Sequence, residues 1–212
     1  MEQNVSRPKI WEALQKAWRK TIREDYNKRQ ELSSEHHLQA AFYARLKSEI
    51  KKIGPSWKVF VEPKIKLTER SKDVVYPDIM ICNTRSLICA IELKYKPRVS
   101  GPRITGLQKD IDTLLALAED GNDIRLDHER YRGKRTENNS YESVNTLFVW
   151  AGVYASGRDV PTSKDAAFRM PVAADKASSE RLHDLANCGR FASLHAITKE
   201  GESAEIAFGY FR

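Results

Sequence analysis

Two nearly uninterrupted apolar segments, separated by a short polar turn, constrain the fold of this chain more than any other feature. Residues 79–82 and 87–93 are apolar apart from Glu92, and residues 83–86 between them are Asn, Thr, Arg and Ser. This pattern predicts a β-hairpin with a tight turn. Arms this apolar are typical of strands that are buried on both faces. We therefore expect the hairpin at the centre of a sheet that helices cover on both sides.

Hydrophobic periodicity predicts further helices and strands around this hairpin. Helices are predicted over about residues 9–25, between Ser33 or Ser34 and Gly54, and over about residues 107–119; strands are predicted over residues 57–67 and 146–152; a charged, exposed excursion is predicted over residues 122–143; a short helix over residues 176–185 and a hairpin of residues 191–197 with 205–210 complete the chain. The order helix, strand, strand, strand, helix, strand indicates the α/β class.

The chain contains no internal repeat and no linker-like segment. A single domain over residues 1–212 is the economical interpretation, since this length suffices for one well-buried domain. We expect its core over about residues 30–152. Residues 153–212, with the extra helix and β-hairpin, would form a C-terminal extension packed on that core.

The charge balance and the length of the apolar runs bear on partners and location. Lys and Arg number 36 against 29 Asp and Glu, for a net charge of +7. Such a basic chain favours a polyanionic partner, because contacts to phosphates release counterions. No apolar run approaches the roughly 18 residues of a membrane span, and residues 1–30 lack the apolar core of a signal peptide. We expect a cytoplasmic protein with no membrane partner.

Three polar residues interrupt the apolar hairpin: Asp78, Glu92 and Lys94. Glu92 and Lys94 are two residues apart on one strand, so their side chains project from the same face. A turn centred near residues 84–85 pairs Asp78 with residue 91 or 92, which brings the two carboxylates together. Because such neighbours repel unless a proton or cation lies between them, the pair favours a hard ion such as Mg²⁺. Lys94 could orient or deprotonate a water, or offset charge on a phosphate oxygen.

Pro77 and Asp78, thirteen intervening residues, and then Glu92, Leu93 and Lys94 resemble the motif of the PD-(D/E)XK nuclease superfamily. The resemblance covers residues 30–152, whose predicted elements follow that family's αβββαβ order. It implies a restriction-endonuclease-like fold, a mixed central sheet flanked by helices. It also implies that the Asp78 and Glu92 carboxylates and the Leu93 carbonyl bind Mg²⁺, with Mn²⁺ as an alternative, while Lys94 assists the attacking water.

Further site residues follow from the same resemblance and from the basic loop after the hairpin. Glu35 matches an auxiliary catalytic acid of the first core helix, although it is also an ordinary carboxylate for a helix start. Gln108 and Lys109 occupy the start of the next helix, where members of the family often have a Gln or a basic residue. Arg98, Arg103 and Lys109 surround the expected site and could contact the phosphate backbone. Each of these basic residues is also compatible with a role in solubility.

These observations lead to the expectation of a Mg²⁺-dependent nuclease that hydrolyses phosphodiester bonds, in DNA rather than RNA. Two other functions stay open: a non-cleaving module that binds nucleic acid or a partner on the same fold, and a subunit that cuts only within a larger defence or mobile-element complex. A homodimer would suit an enzyme that cuts both strands. The purely structural alternative is an ordinary sheet edge, with Asp78 at a turn and Glu92 and Lys94 as a solvated ion pair.

Overall fold

We describe the fold from a computed structural model over residues 7–29, 31–67, 74–84, 86–97, 107–119, 124–126, 140–142, 146–155, 179–181 and 190–197. The helices in these ranges are α1 (Arg7–Lys20) with a π-helical continuation (Thr21–Lys28), α2 (Glu35–Ile53) and α3 (Leu107–Glu119). The strands are β1 (Lys58–Val61), β2 (Ile65–Leu67), β3 (Val74–Val75), β4 (Ile79–Cys82), β5 (Leu87–Lys96), β6 (Ile124–Leu126), β7 (Ser140–Tyr141), β8 (Leu147–Ala155), β9 (Ser179–Arg181) and β10 (Arg190–Ile197).

The predicted hairpin forms β4 and β5 and lies inside a mixed sheet of order β1-β4-β5-β8-β10-β9. β5 and β8 are parallel, whereas the other neighbouring strands of this sheet are antiparallel. All four residues of β4 are buried, and so is most of β5. The expectation of a central hairpin buried on both faces is confirmed.

The two faces of the sheet are covered by different elements. Ile79, Ile81 and Ile91 point to one face and pack against α1 and α2. Met80 and Ala90 point to the other face, where they pack against α3 and a smaller sheet of order β3-β2-β6-β7. Alternation along the strands thus gives each face its own core. The structure is mixed α/β, with a mixed sheet flanked by helices, as expected.

Helix α2 forms where its sequence predicts. Ser34 accepts a hydrogen bond from the His37 N–H at 3.2 Å and caps the first turn, and Gly54 ends the helix. The buried side chains recur at helical spacing and include Leu38, Phe42, Leu46 and Ile50. This regular cap and apolar stripe fix the rotation of α2, and therefore the direction in which its polar residues point.

Within the described ranges, no helix is both long and apolar enough to cross a membrane.

The expected single strand over residues 57–67 is wrong, because the chain bends at Glu62. Glu62 has a φ of 45°, in the left-handed region that a non-glycine residue seldom adopts. The preceding β1 joins the large sheet and the following β2 joins the small one. Only β2 shows alternating burial, with Ile65 and Leu67 buried and Lys66 exposed, whereas in β1 Val59 and Phe60 are partly buried on opposite faces of the large sheet. The alternation of residue types in the sequence therefore does not mark the bend.

Three expectations about the second half of the chain need correction or fall outside the description. The helix expected over residues 176–185 is wrong at Ser179–Arg181, which form β9 and pair with β10; strand pairing at the sheet edge overrides the local helical pattern. Residues 191–197 are a strand as predicted, paired with β8 and β9, while the second arm at 205–210 lies outside the described residues. The excursion expected over residues 122–143 is not exposed throughout. Parts of it form β6 and β7, and Ile124 and Leu126 of β6 are buried.

Candidate functional site

The predicted polar residues of the hairpin meet on the face of the sheet that α3 covers. Asp78 directly precedes β4, and Glu92 and Lys94 lie on β5. Because Ile79 is paired with Ile91, the next position places Asp78 opposite Glu92, in agreement with the register expected from the turn. Glu92 is only 5% exposed and Lys94 is also buried. The solvated ion pair of the alternative interpretation is therefore excluded.

Backbone and side-chain donors from three directions hold Asp78. The Leu93 N–H donates to Asp78 Oδ2 at 2.6 Å, and Gln39 Nε2 on α2 donates to Asp78 Oδ1 at 3.3 Å and to its carbonyl oxygen at 3.2 Å. The Glu62 N–H donates to the same carbonyl at 2.9 Å. Burial raises the pKa of Asp78 even though the Leu93 N–H opposes the shift. These protein donors thus fix the position of Asp78.

Glu92 and Asp78 form a hydrogen-bonded carboxyl pair. Burial, followed by the negative charges of Asp78 and Asp110, raises the pKa of Glu92 from 4.5 to about 10. Glu92 is therefore neutral at pH 7 and donates its proton to Asp78, and this hydrogen bond partly offsets the rise in the pKa of Asp78 that burial causes. Because two negative charges repel strongly in a low dielectric, one proton is retained between the buried Glu92 carboxyl and the half-buried Asp78 carboxylate.

The Lys94 ammonium lies between two further carboxylates. Its Nζ is 3.1 Å from Asp110 Oδ2 and 3.6 Å from Glu35 Oε2. Burial alone would lower the pKa of Lys94, but the charges of Asp110 and Glu35 outweigh it and raise the pKa, so the ammonium stays protonated. Glu35 Oε2 also accepts a hydrogen bond from the Tyr95 N–H at 3.0 Å. The structure therefore brings Glu35 to the site, beside Lys94.

Asp110 and Gln39 are site residues that the sequence interpretation missed. Asp110 lies in the first turn of α3, 7% exposed, and burial raises its pKa to about 6 despite the opposing charge of Lys94. It shares one face of α3 with the buried Leu114 and Leu117, four and seven residues further on. An acidic side chain on an apolar helix stripe is the pattern that could have revealed it. Gln39 adjoins the apolar stripe of α2 and offers a weaker indication.

The residues expected to contact nucleic acid are not brought together by the described structure. Arg98 and Arg103 lie outside the described residues, and for Gln108 only its position in α3 is described. Lys109 is exposed in the first turn of α3, next to Asp110. Contacts of these four residues with a phosphate backbone stay predictions.

A groove of about 590 Å³ lies between the π-helical segment and α2, and its lining contains none of the site carboxylates Glu35, Asp78, Glu92 and Asp110. Two ion pairs lie in its lining, in which Arg45 contacts Asp25 at 3.0 Å and Lys20 contacts Glu49 at 3.0 Å. Because these paired side chains already neutralise one another, the Asp78–Glu92 carboxyl pair is the better candidate for a functional site than the groove.

A hard cation such as Mg²⁺ requires oxygen ligands. Among the residues that the structure describes, no three His, Cys, Asp or Glu side chains are arranged as ligands of one metal ion. The Asp78–Glu92 pair nevertheless presents oxygen donors at one point. Mg²⁺ is commonly held by one or two carboxylates and retains several waters. A pair that now shares a proton fits such an ion chemically, because the cation would relieve the same repulsion.

Comparisons with protein-family models, with curated proteins and with solved structures found no match to this chain. The geometry of the site therefore carries the functional argument.

Proposed function

We propose that this chain is a metal-dependent nuclease with a restriction-endonuclease-like fold, and that it hydrolyses phosphodiester bonds in DNA rather than RNA. The observation that carries the proposal is the Asp78–Glu92 carboxyl pair, in which Glu92 is buried and Asp78 is half-buried, together with the buried Lys94 ammonium on the same face of β5 as Glu92. Buried acids and a buried cation are expensive to maintain for stability alone, and such perturbed groups concentrate at functional sites. The net charge of +7 supports a polyanionic substrate.

The order of the elements supports the proposed fold. Helix α2, strands β1, β4 and β5, helix α3 and strand β8 follow one another in the αβββαβ order of restriction-endonuclease-like enzymes. β5, which bears Glu92 and Lys94, lies next to the parallel β8 in the middle of the sheet. The small sheet of β2, β3, β6 and β7 would then be an addition to that core.

In the proposed enzyme, the Asp78 and Glu92 carboxylates and the Leu93 carbonyl would hold Mg²⁺, with Mn²⁺ as the alternative. Bound Mg²⁺ supplies a positive charge that polarises the scissile phosphate and lowers the pKa of water. The Leu93 N–H and Gln39 keep the Asp78 carboxylate oriented. Lys94, protonated on Nζ, offers its charge to the phosphate oxygen on which negative charge accumulates. Glu35 acts as the auxiliary acid through its contact with Lys94.

A cleavage assay with a charge-matched control tests this function. Wild type, Lys94→Ala and Lys51→Ala would be incubated with labelled single-stranded, duplex and branched DNA and with RNA, in Mg²⁺, Mn²⁺ or EDTA. Lys51 is an exposed lysine on α2, so its variant loses the same charge outside the site. We expect metal-dependent cleavage of DNA that Lys94→Ala reduces on the order of 100-fold or more and that Lys51→Ala leaves unchanged.

Other outcomes would replace the proposal with a different function. Salt-sensitive DNA binding without cleavage by the wild type would favour a non-cleaving module. Cleavage that requires added cellular partners would favour a recruited subunit. Equal cleavage by wild type and Lys94→Ala would show that the site is assigned to the wrong residues.

A further inference from the structure

We propose that Asp110 is a positioning residue for Lys94: its carboxylate, brought in by α3, holds the Lys94 ammonium beside the Asp78–Glu92 carboxyl pair. This inference rests on the proposed nuclease function and deepens it. Asp110 is assigned no contact with substrate or metal. Its action on the reaction would pass through Lys94.

The contact with Lys94 explains why a buried carboxylate is found at position 110. Asp110 is 7% exposed, and its Oδ2 has no aligned hydrogen bond among the described residues, although Lys94 Nζ lies 3.1 Å away as an ion pair. A buried ion pair is costly to desolvate, and well-packed apolar residues often replace one without loss of stability. The pair is therefore poorly explained by stability, and better explained by what it does to Lys94.

Lys94 needs such a contact because β5 fixes only its backbone. A lysine ammonium ends a flexible four-carbon chain and can occupy many positions. Glu35 restricts it less than Asp110 does, since the Glu35 side chain is 38% exposed, lies 3.6 Å away and also accepts the Tyr95 N–H. Asp110 is closer, its side chain is 10% exposed, and it belongs to a different helix. Together, the two carboxylates hold the ammonium between α2 and α3.

The test compares Asp110→Asn and Asp110→Glu with wild type and with Asp112→Asn, an exposed carboxylate on the same helix. On the DNA that the wild type cleaves, kcat, KM and the Mg²⁺ concentration for half-maximal activity would be measured. A misplaced ammonium predicts a kcat for Asp110→Asn that is lower by about 100-fold, because small errors of position have effects of that size. We expect KM and the Mg²⁺ requirement to change less than twofold, Asp110→Glu to recover part of kcat, and Asp112→Asn to match the wild type.

A second measurement does not depend on cleavage. In metal-free protein with ¹⁵N-labelled lysine, the Lys94 ammonium should give an NMR signal protected from solvent exchange. The signal would be assigned by its absence in Lys94→Ala, and it should disappear in Asp110→Asn. If the wild type cleaves nothing, the proposed function fails, and this spectrum still decides whether Asp110 holds Lys94.

Several results would overturn the inference. An unchanged kcat in Asp110→Asn would remove the positioning role, and a tenfold higher Mg²⁺ requirement would make Asp110 a metal ligand instead. A Lys94 signal that exchanges freely in the wild type, or that persists in Asp110→Asn, would show that Asp110 does not hold the ammonium. If Asp110→Asn does not fold, the inference is tested by the Lys94 signal of the wild type, which should be protected from exchange, and by the kcat of Asp110→Glu, which should lie below that of the wild type.

Discussion

Replacing Glu92 by glutamine is expected to stabilise the metal-free protein while removing the proposed nuclease activity. Burial and the neighbouring carboxylates raise the pKa of Glu92 from 4.5 to about 10. At pH 7 the unfolded chain ionises this group and the folded chain protonates it, so folding takes up a proton. Since each pKa unit corresponds to about 1.4 kcal/mol, that uptake costs roughly 3 kcal/mol at pH 7. Glutamine keeps the shape and a donor for Asp78, so we expect Glu92→Gln to raise the free energy of unfolding by roughly 2 to 3 kcal/mol.

The pH dependence of this gain has a definite sign. The folded state of the wild type binds one more proton than the unfolded state between pH 4.5 and about pH 10, so the stability of the wild type falls as the pH rises through that window. The advantage of Glu92→Gln should therefore grow by about 1.4 kcal/mol per pH unit and vanish near pH 4.5, where the unfolded chain is protonated as well.

Urea denaturation in EDTA at pH 5, 6, 7 and 8, followed by tryptophan fluorescence, measures the effect. Glu49→Gln is the matched control, because Glu49 is buried but accepts hydrogen bonds from Lys52 at 2.8 Å and Lys20 at 3.0 Å. Lys52 and Lys20 lower the pKa of Glu49, so its carboxylate adds stability above pH 4.5 that is lost at lower pH. Glu49→Gln should thus destabilise by about 1 kcal/mol. A Glu92→Gln variant that is no more stable than wild type at pH 8, or whose advantage does not depend on pH, would refute the reasoning.

Two further substitutions test the support of the site. Gln39→Leu removes the side-chain donor of Asp78 and should raise the Mg²⁺ concentration for half-maximal cleavage about tenfold, as second-sphere changes do; an unchanged Mg²⁺ titration would contradict this role. Gly152→Ala should lower the free energy of unfolding by about 1 to 3 kcal/mol, because its Cβ would lie 2.6 Å from Cη2 of the buried Trp150 and 3.2 Å from the carbonyl oxygen of Lys94. Urea denaturation measures the second effect, and a wild-type midpoint would show that the ring can move.

The centre of the fold and the carboxyl pair could be predicted from sequence because local rules suffice for them. The apolar arms and the polar turn determine the β4–β5 hairpin, and the position of the turn sets the register that places Asp78 opposite Glu92. Helix α2 could likewise be predicted from the sequence, since its Ser34 cap and its apolar stripe are both local features. In each case residues within one element or one hairpin carry the information.

The missed features depend on contacts between distant elements. In the sequence, Asp110 is only an acidic residue near the start of a helix. Its contact with Lys94 depends on the packing of α3 on β5. At Glu62 the chain passes from a strand of the large sheet to a strand of the small one, and β9 pairs with β10 at the edge of the large sheet. Tertiary pairing decided these points, and propensity and periodicity do not encode it.

The wide spacing of the site residues along the chain has a kinetic consequence. Glu35 and Tyr95, whose hydrogen bond joins α2 to β5, are 60 residues apart, and Gln39 and Asp78 are 39 apart. Long-range contacts of this kind form late, because the entropy of closing large loops must be overcome first. A nascent or partly folded chain therefore lacks the contacts by which Gln39 and Glu35 of α2 hold Asp78 and β5 in place. Any activity of this site would be restricted to chains that have completed folding.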